Sequence, residues 1–279
     1  DLGNPTEVTL ETLVSSEYMK NPGEYLGNKD VSCTGRVTVT KLEDNYRYAP
    51  YLDCGAKYKT TYLASKLREN IVTTGAGLYA VDQYVGDKEG VKNLVTNHIF
   101  KGEILNNYIT VDDTMWRIVK VNNDDSIVLI FEGKDPEQLL YDVWDDRYNA
   151  DRESKDGINN YAVSRAREKL SSIYQGEFLP TELKNRLVKQ NLCIGKRKEA
   201  VTTNDGSIEC STILAGEYLG LLPAYDYINA SLDSNCKSLA SQQCSNYNYL
   251  LEYDKSWWLL TTDADTTFKG YKAAGEIVK

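Results

Sequence analysis

Oxygen-bearing side chains cluster in one stretch of the sequence, and they are of the types that bind calcium. Residues 145–153 contain Asp145, Asp146, Asn149, Asp151 and Glu153. Ca²⁺ is a hard cation that takes several oxygen ligands, but an EF-hand loop also needs a glycine at its sixth position and a glutamate at its twelfth. No register here supplies both. We therefore predict no metal site, and interpret the stretch as a solvated acidic loop before a helix, where the helix dipole favours acidic residues.

Side chains for acid–base or nucleophilic catalysis are scarce. His98 is the single histidine, so a Ser–His–Asp triad would have to use it, and no GxSxG sequence supports one. The chain also contains neither a P-loop nor a GxGxxG fingerprint. We expect no catalytic residues and no cofactor, and predict that the protein is not an enzyme.

The cysteines fall into three neighbouring pairs. These are Cys33 with Cys54, Cys193 with Cys210, and Cys236 with Cys244. No CxxC sequence occurs, and one histidine is too few for the usual zinc sites. Each sequential pairing would close a turn-rich loop, so we predict three local disulfides and an oxidising, extracytoplasmic environment. Free buried thiols in a cytosolic protein are the alternative.

Aromatic and polar side chains share two predicted loops of the second half. One loop contains Trp144, Asp145, Asp146 and Tyr148; the other contains Asn246, Tyr247, Asn248 and Tyr249. Planar rings beside carboxylates and amides suit a glycan or a polar protein surface. We therefore predict a binding site there, formed by Trp144, Asp145, Asp146, Tyr148, Tyr247 and Tyr249. The same aromatic residues could instead pack the loops, and that alternative stays open.

Composition limits the class of partner. The chain of 279 residues has a net charge of −9, which argues against nucleic-acid partners and against contact with an anionic membrane. It contains 21 tyrosines and only 4 phenylalanines. Because tyrosine combines an apolar ring with a polar tip, this excess suits half-exposed sheets and binding surfaces.

The element that must position these residues is a β-hairpin at 106–131. Its middle strand, Met115–Val121, alternates: Trp116, Ile118 and Lys120 are expected on one face, with Arg117, Val119 and Val121 on the other. The apolar segment 256–262, SWWLLTT, is the expected partner strand of this hairpin. Only one of Trp257 and Trp258 can then face the shared core.

The remaining elements divide into two predicted domains, 1–97 and 98–279. In the first we expect helices at 10–19 and 62–71, strands at 32–40 and 46–54, and a polar connector at 82–97. In the second we expect a helix from Asn159 or Asn160 to Gly176, a helix at 180–188, and a buried strand that ends at Pro223. The fold class is therefore α+β.

Several sequence blocks carry a resemblance. The order NNYI, WRIVKVN, SIVLI, SRAREKL, GLLPAYDYINA and WWLLT over 98–279 resembles modules of Gram-positive surface proteins related to C-type lectins and formylglycine-generating enzymes. The leading unit, with VTLETLVSSEYM, VSCTGRVTVT and YAPYLDCGAKYKT, is similar to ectodomains that follow a prepilin-type helix. The resemblance implies a small pilin-like unit followed by a disulfide-stapled C-type-lectin-like domain. Since relatives continue with a further strand, we expect the final sheet to be incomplete or to be completed by another chain.

The resemblance leaves two functions open. The first is a non-catalytic extracellular protein at the cell surface, a structural subunit or adhesin associated with a type IV pilus. Its expected partners are other surface or pilus subunits, a glycan or a host protein. The second is an extracytoplasmic enzyme of the formylglycine-generating type, which would use Cys236 and Cys244 as a reactive pair. The absence of a catalytic constellation favours the first, because a fold alone does not decide function.

Overall fold

The protein is a mixed α+β chain with many strands and few helices, seen in a computed structural model. The structure describes residues 5–28, 30–41, 46–55, 58–103, 106–111, 113–132, 144–150, 153, 155, 157–251, 257–264, 270–272 and 277–278. The chain forms two compact units, Asp1–Lys66 and Leu67–Lys279. The domain boundary expected after residue 97 falls inside a continuous strand, Lys92–Lys101.

The first unit is built on a three-stranded antiparallel sheet in the order β1-β2-β3. Thr9 ends β1 and caps α1, because its hydroxyl accepts a hydrogen bond from the Thr12 backbone N–H at 3.2 Å. The predicted helices and strands of this region are present, with shorter helices than expected. The elements are β1 Pro5–Thr9, α1 Leu10–Ser15, α2 Pro22–Tyr25, β2 Thr34–Lys41 and β3 Tyr46–Asp53; α3 Leu63–Arg68 follows, and the boundary between the units falls inside it.

The second unit contains most of the regular structure. Its elements are β4 Gly77–Gly86, β5 Lys92–Lys101, β6 Tyr108–Val111, β7 Thr114–Val121, β8 Ile127–Phe131, α4 Arg165–Gln175, α5 Thr181–Arg186, β9 Gln190–Cys193, β10 Ile213–Glu217, α6 Ala224–Asn229, β11 Trp258–Thr262, β12 Gly270–Lys272 and β13 Ile277–Val278. Both helices expected between 159 and 188 are present as α4 and α5. The buried strand expected before Pro223 is wrong, because residues 219–223 have no regular structure.

Strand β7 is the centre of a five-stranded sheet. One of its edges pairs with β8, and the other pairs with β6 in its first half and with β5 at its end. The register with β8 shifts between Ile118 and Lys120, which marks a β-bulge. Ile118 and Val119 consequently join the same buried cluster, whereas Trp116 joins another with Leu179 and Leu183. The strict alternation predicted for this strand is therefore wrong.

The predicted polar connector at 82–97 is also wrong, because it forms most of the β4–β5 hairpin. The polar residues of this segment led to the wrong prediction, because polar residues usually indicate an exposed connector. Gln83 and Asn97 are fully buried, and the Asn97 side-chain amide donates to the Gln83 side-chain oxygen at 3.0 Å. Polar side chains are therefore satisfied by one another inside the sheet, as burial requires.

Strand β11 does not hydrogen-bond to the central hairpin; it forms a separate sheet in the order β11-β12-β13. It meets the hairpin through side-chain packing, since Trp257 and Leu259 belong to the cluster that contains Ile118 and Val119. Trp258 belongs to a different cluster, with Trp144 and Tyr161. The expectation that the two neighbouring tryptophans face different surroundings is confirmed. The prediction that segment 256–262 is a partner strand of the hairpin is wrong.

All three predicted disulfides are present: Cys33–Cys54, Cys193–Cys210 and Cys236–Cys244. They close loops with sequence separations of 21, 17 and 8 residues. Such bonds are typical of proteins that fold in an oxidising, extracytoplasmic environment. In the described part of the chain, no helix has the length and apolar character required to cross a bilayer.

The environment of Trp116 yields a stability prediction. Its ring packs edge-on against Phe131 with centroids 5.4 Å apart, and its buried indole N–H has no hydrogen-bond partner among the described residues. Trp116→Ala should lower the free energy of unfolding by about 3–5 kcal/mol because it leaves a cavity. Trp116→Phe should cost much less, since it keeps a ring and removes the unpaired N–H.

Urea denaturation of the two variants checks this difference. Met115→Ala is the control, because the neighbouring Met115 side chain is 47% exposed and its loss should change the free energy of unfolding by less than about 0.5 kcal/mol. Equal losses for Trp116→Ala and Trp116→Phe would contradict the packing described here.

Candidate functional site

The candidate site is a groove of about 720 Å³ between α4 and a segment made of the end of β10 and the two residues that follow it. Helix α4 and the residues just before it form one wall, and residues 216–219 form the other. We call this the α4 groove. It is lined by Arg147, Ala162, Val163, Ser164, Arg167, Glu168, Leu170, Ser171, Ser172, Tyr174, Gly216, Glu217, Tyr218 and Leu219.

The start of α4 is fixed by a cap. The Ser164 hydroxyl accepts a hydrogen bond from the Arg167 backbone N–H at 3.2 Å, which satisfies one of the free N–H groups of the first turn. The apolar side of the helix is held by Ala166 and Leu170, which pack against the cluster of Trp144 and Tyr161. Beside this apolar side, the polar residues Arg167, Glu168 and Ser171 face the groove, and Leu170 lies at the border between the two.

Arg147 enters the groove from the loop before α4. The Asp145 carboxylate accepts hydrogen bonds from Arg147 Nη2 at 2.6 Å and from Nε at 2.9 Å, a fork-like pairing. Arg147 Nη1 lies 3.3 Å from the carboxylate of Glu168 on α4. Asp145 thus holds the guanidinium in place, and Glu168 balances its charge.

A second guanidinium joins the two walls. Arg167 of α4 donates from Nη2 to the Glu217 carboxylate at 2.7 Å and from Nη1 to the Ala162 carbonyl at 2.6 Å. Glu217 reaches this position because the β9–β10 register shifts between Leu214 and Glu217. Gly216 lies inside that shift with φ +79°, a left-handed conformation that favours glycine.

Two tyrosines form the aromatic part of the groove. Tyr174 and Tyr218 stack with ring centroids 4.4 Å apart and an angle of 12° between their planes. The Lys189 ammonium lies 5.7 Å from the centre of the Tyr218 ring. The groove therefore combines ring surface and hydroxyl groups with two ion pairs.

The pKa shifts keep these groups in their usual charge states. The hydrogen bond to Glu217 raises the pKa of the Arg167 guanidinium, and the bond to Asp145 raises that of Arg147. Partial burial and then the neighbouring Tyr218 raise the pKa of the Tyr174 hydroxyl. At neutral pH the arginines are charged and Tyr174 is neutral, an arrangement suited to binding rather than to proton transfer.

The first predicted binding loop is only partly a surface. Trp144 is a core residue, with its ring 5.8 Å from Tyr161 and 5.9 Å from Trp258. Asp145 is buried under Arg147, Asp146 is exposed and pairs with Arg165 at 2.9 Å, and Tyr148 is exposed. The loop contributes to the groove through Arg147, which its neighbour Asp145 positions.

The second predicted loop divides in the same way. Tyr247 is exposed, whereas Tyr249 is fully buried in the main cluster, where its ring lies 5.4 Å from the Arg117 guanidinium. Tyr249 and Trp144, one from each predicted loop, are therefore core residues, and they belong to different apolar clusters. The six predicted binding residues do not therefore form one surface, because the rings chosen for their type include two that pack the interior.

Sequence reasoning missed the ion pair and the tyrosine pair that line the groove. Arg167 and Glu217 are 50 positions apart, and Tyr174 and Tyr218 belong to different elements, so no local spacing reveals either pair. The one available signal was the polar side of the predicted helix, which carries Arg167, Glu168 and Ser171.

The catalytic and metal candidates lie elsewhere. His98 Nδ1 accepts a hydrogen bond from Arg68 Nε at 3.4 Å. Cys236 and Cys244 are joined as a disulfide. Among the described residues, no group of three acidic, histidine or cysteine side chains is placed to hold a metal ion; Asp151 of the acidic stretch lies outside them.

Comparisons with protein-family models, with characterised proteins and with solved structures find no match to this chain. The fold therefore rests on the structure alone, and the function rests on the chemistry of the α4 groove.

The buried Asp145 makes stability depend on pH. Burial alone would raise the pKa of its carboxyl, but the hydrogen bonds from Arg147 outweigh this effect and lower that pKa overall. The stabilisation is therefore complete above the unfolded value, about 3.9, and is lost as the pH falls through the folded value. Asp145→Asn should cost about 1–3 kcal/mol at pH 7, with a smaller difference from wild type at pH 3.

Urea unfolding over this pH range measures the difference. Asp146→Asn is the matched control, since Asp146 and Arg165 form an exposed ion pair that should contribute less than about 1 kcal/mol. A difference for Asp145→Asn that stays constant with pH would contradict the role given to the carboxylate.

Proposed function

We propose that this chain is a non-catalytic extracellular protein of the bacterial surface, pilus-associated and similar in its second unit to C-type lectins, and that it binds a neutral glycan in the α4 groove. The observation that carries the proposal is the groove itself. It holds a stacked tyrosine pair beside two ion pairs, in a unit that disulfides stabilise.

The charge of the groove favours a neutral ligand. Arg147 and Arg167 are matched by Glu168 and Glu217, so an anionic ligand would have to displace a carboxylate to reach either guanidinium. Hydroxyl groups make no such demand, because they can donate to the carboxylates and accept from the arginines at the same time.

The tyrosine pair supports a sugar over a fully polar ligand. A sugar ring has an apolar C–H face as well as hydroxyl edges, and half-buried rings are suited to contact such a face. Tyr174 and Tyr218 are both half-buried, so ring surface remains for a ligand. The volume of the groove, about 720 Å³, falls within the usual range for small-ligand sites.

The proposed surface location has separate support. Three disulfides fit an oxidising environment, and the resemblance to prepilin-type ectodomains and lectin-like modules suggests the cell surface. Candidate partners are other pilus or surface subunits, with the glycan carried by a cell or a host protein.

A panel of immobilised neutral and acidic glycans tests the binding function. Tyr218→Ala removes one ring of the stacked pair, and Arg167→Lys keeps the charge but loses the fork that engages Glu217. Each variant should weaken binding of a neutral glycan about tenfold or more, which corresponds to about 1.4 kcal/mol. Tyr148→Ala and Tyr247→Ala are the matched controls, because both tyrosines are exposed and outside the groove lining.

The controls also distinguish the α4 groove from the exposed loop tyrosines as the binding surface. Full binding by Tyr218→Ala together with loss of binding by Tyr148→Ala or Tyr247→Ala would move the site to the exposed loop tyrosines. Melting temperatures of all four variants show whether any lost binding reflects unfolding.

The enzyme alternative has its own test. A reactive pair at Cys236 and Cys244 would take up a maleimide label in denatured protein prepared without reductant. We expect no label, since both cysteines form a disulfide whose Cys244 side is buried. Label at these two positions would revive the formylglycine-generating activity as a hypothesis.

A further inference from the structure

A lysine and an aspartate meet inside the second unit, almost fully shielded from water. Lys120 Nζ on β7 lies 2.6 Å from Asp226 Oδ2 on α6, and the side chains are 9% and 0% exposed. The Tyr225 ring covers the ammonium at 5.6 Å. An ammonium has three N–H donors, but Asp226 is the one acceptor of Lys120 among the described residues.

The other carboxylate oxygen of Asp226 is held by a chain of amides. The Gln83 side-chain amide donates to Asp226 Oδ1 at 2.9 Å, and the Asn97 side-chain amide donates to Gln83 Oε1 at 3.0 Å. The Asn123 backbone N–H donates in turn to Asn97 Oδ1 at 3.0 Å. Each amide therefore polarises the next, and the chain ends on Oδ1.

This arrangement is costly as an ion pair. Buried charges are stabilised only when their remaining donors and acceptors are satisfied, and Lys120 has more donors than acceptors around it. An amide would carry no charge, would keep one N–H, and would leave Oδ1 as a carbonyl oxygen that still accepts from Gln83.

We propose that Lys120 and Asp226 condense to form an intramolecular amide bond that joins β7 to α6. Lys120 Nζ transfers one proton to Oδ2 and attacks Cγ; the Gln83 amide stabilises the negative charge that develops on Oδ1. Nζ then loses a second proton, the Cγ–Oδ2 bond breaks, and Oδ2 leaves with both protons as water. The Nζ–Cγ bond forms, one proton stays on the amide nitrogen, and nothing is oxidised or reduced.

The surroundings favour the forward reaction. Holding the two groups in contact makes the condensation unimolecular and removes the entropic cost of encounter. The water that is released escapes to solvent, and hydrolysis would need water to return to a buried site. The bond is independent of the α4 groove and does not depend on the function proposed for it.

The chain provides a matched comparison in its first unit. Lys59 Nζ lies 2.8 Å from Asp53 Oδ2, but these side chains are 51% and 26% exposed. The residue types are the same and the contact distance is similar, whereas the Lys59–Asp53 pair is open to solvent. We therefore expect no condensation of Lys59 with Asp53.

Intact-mass measurement of the full chain under denaturing, non-reducing conditions tests the proposal. The expected mass is that of the sequence with its disulfides, less one water molecule. Peptide mapping should find one branched peptide joining the segments that contain Lys120 and Asp226. Lys120→Arg and Asp226→Ala should each show the full mass of their own sequence with its disulfides. Lys59→Arg should still be one water molecule lighter than its sequence.

Three results would overturn the proposal. They are a wild-type mass without loss of water, a loss of water that maps to other residues, and a loss of water that persists in Lys120→Arg. Because the mass and the branched peptide are measured on the wild-type chain, the proposal stays testable even if a variant fails to fold.

Discussion

The carboxylate of Asp226 is fully buried, and a buried carboxylate requires partners around it. Gln83 comes from β4, Lys120 from β7, and Asp226 itself from α6. The β4–β5 hairpin, the central strand and the short helix must therefore meet at one point. The apolar residues that surround this point, Ile228 of α6 and Ile118 of β7 among them, form the main cluster of the unit. Polar satisfaction and hydrophobic packing specify the same arrangement of elements.

The α4 groove lies away from this centre and depends on different constraints. Its walls are two short segments, α4 and the end of β10, joined by Arg167 and Glu217. The Cys193–Cys210 disulfide links β9 to the chain just before β10, which restricts the segment that carries Glu217 and Tyr218. The polar side chains of the groove are thus held by a covalent link and by ion pairs, in addition to the apolar packing of Ala166 and Leu170 beneath α4.

The sequence predicted the local elements better than their arrangement. Helix α1, the two helices after residue 159 and all three disulfides depend on nearby residues, and each was predicted, although α4 begins at Arg165, later than expected. The β4–β5 hairpin was missed because the partners of its buried amides are distant in sequence: Gln83 donates to Asp226, 143 positions away, and Asn97 accepts from the Asn123 backbone N–H. The bulge in β7 was missed because hydrophobic residues on both sides of it give no sign of the extra residue.

The candidate site was missed for a similar reason: ring type does not distinguish Trp144 and Tyr249, which pack the core, from Tyr218, which lines the groove.

The placement of Trp257 and Trp258 in two clusters has a consequence for how the second unit unfolds. The side chains from Trp257, which directly precedes β11, to Leu260 alternate between the cluster of Ile118 and the cluster of Trp144, so this single segment is a common wall of both. Apolar clusters that share no element can melt independently, as local unfolding units do. Here the departure of one strand would expose both at once, which couples them into a single cooperative transition.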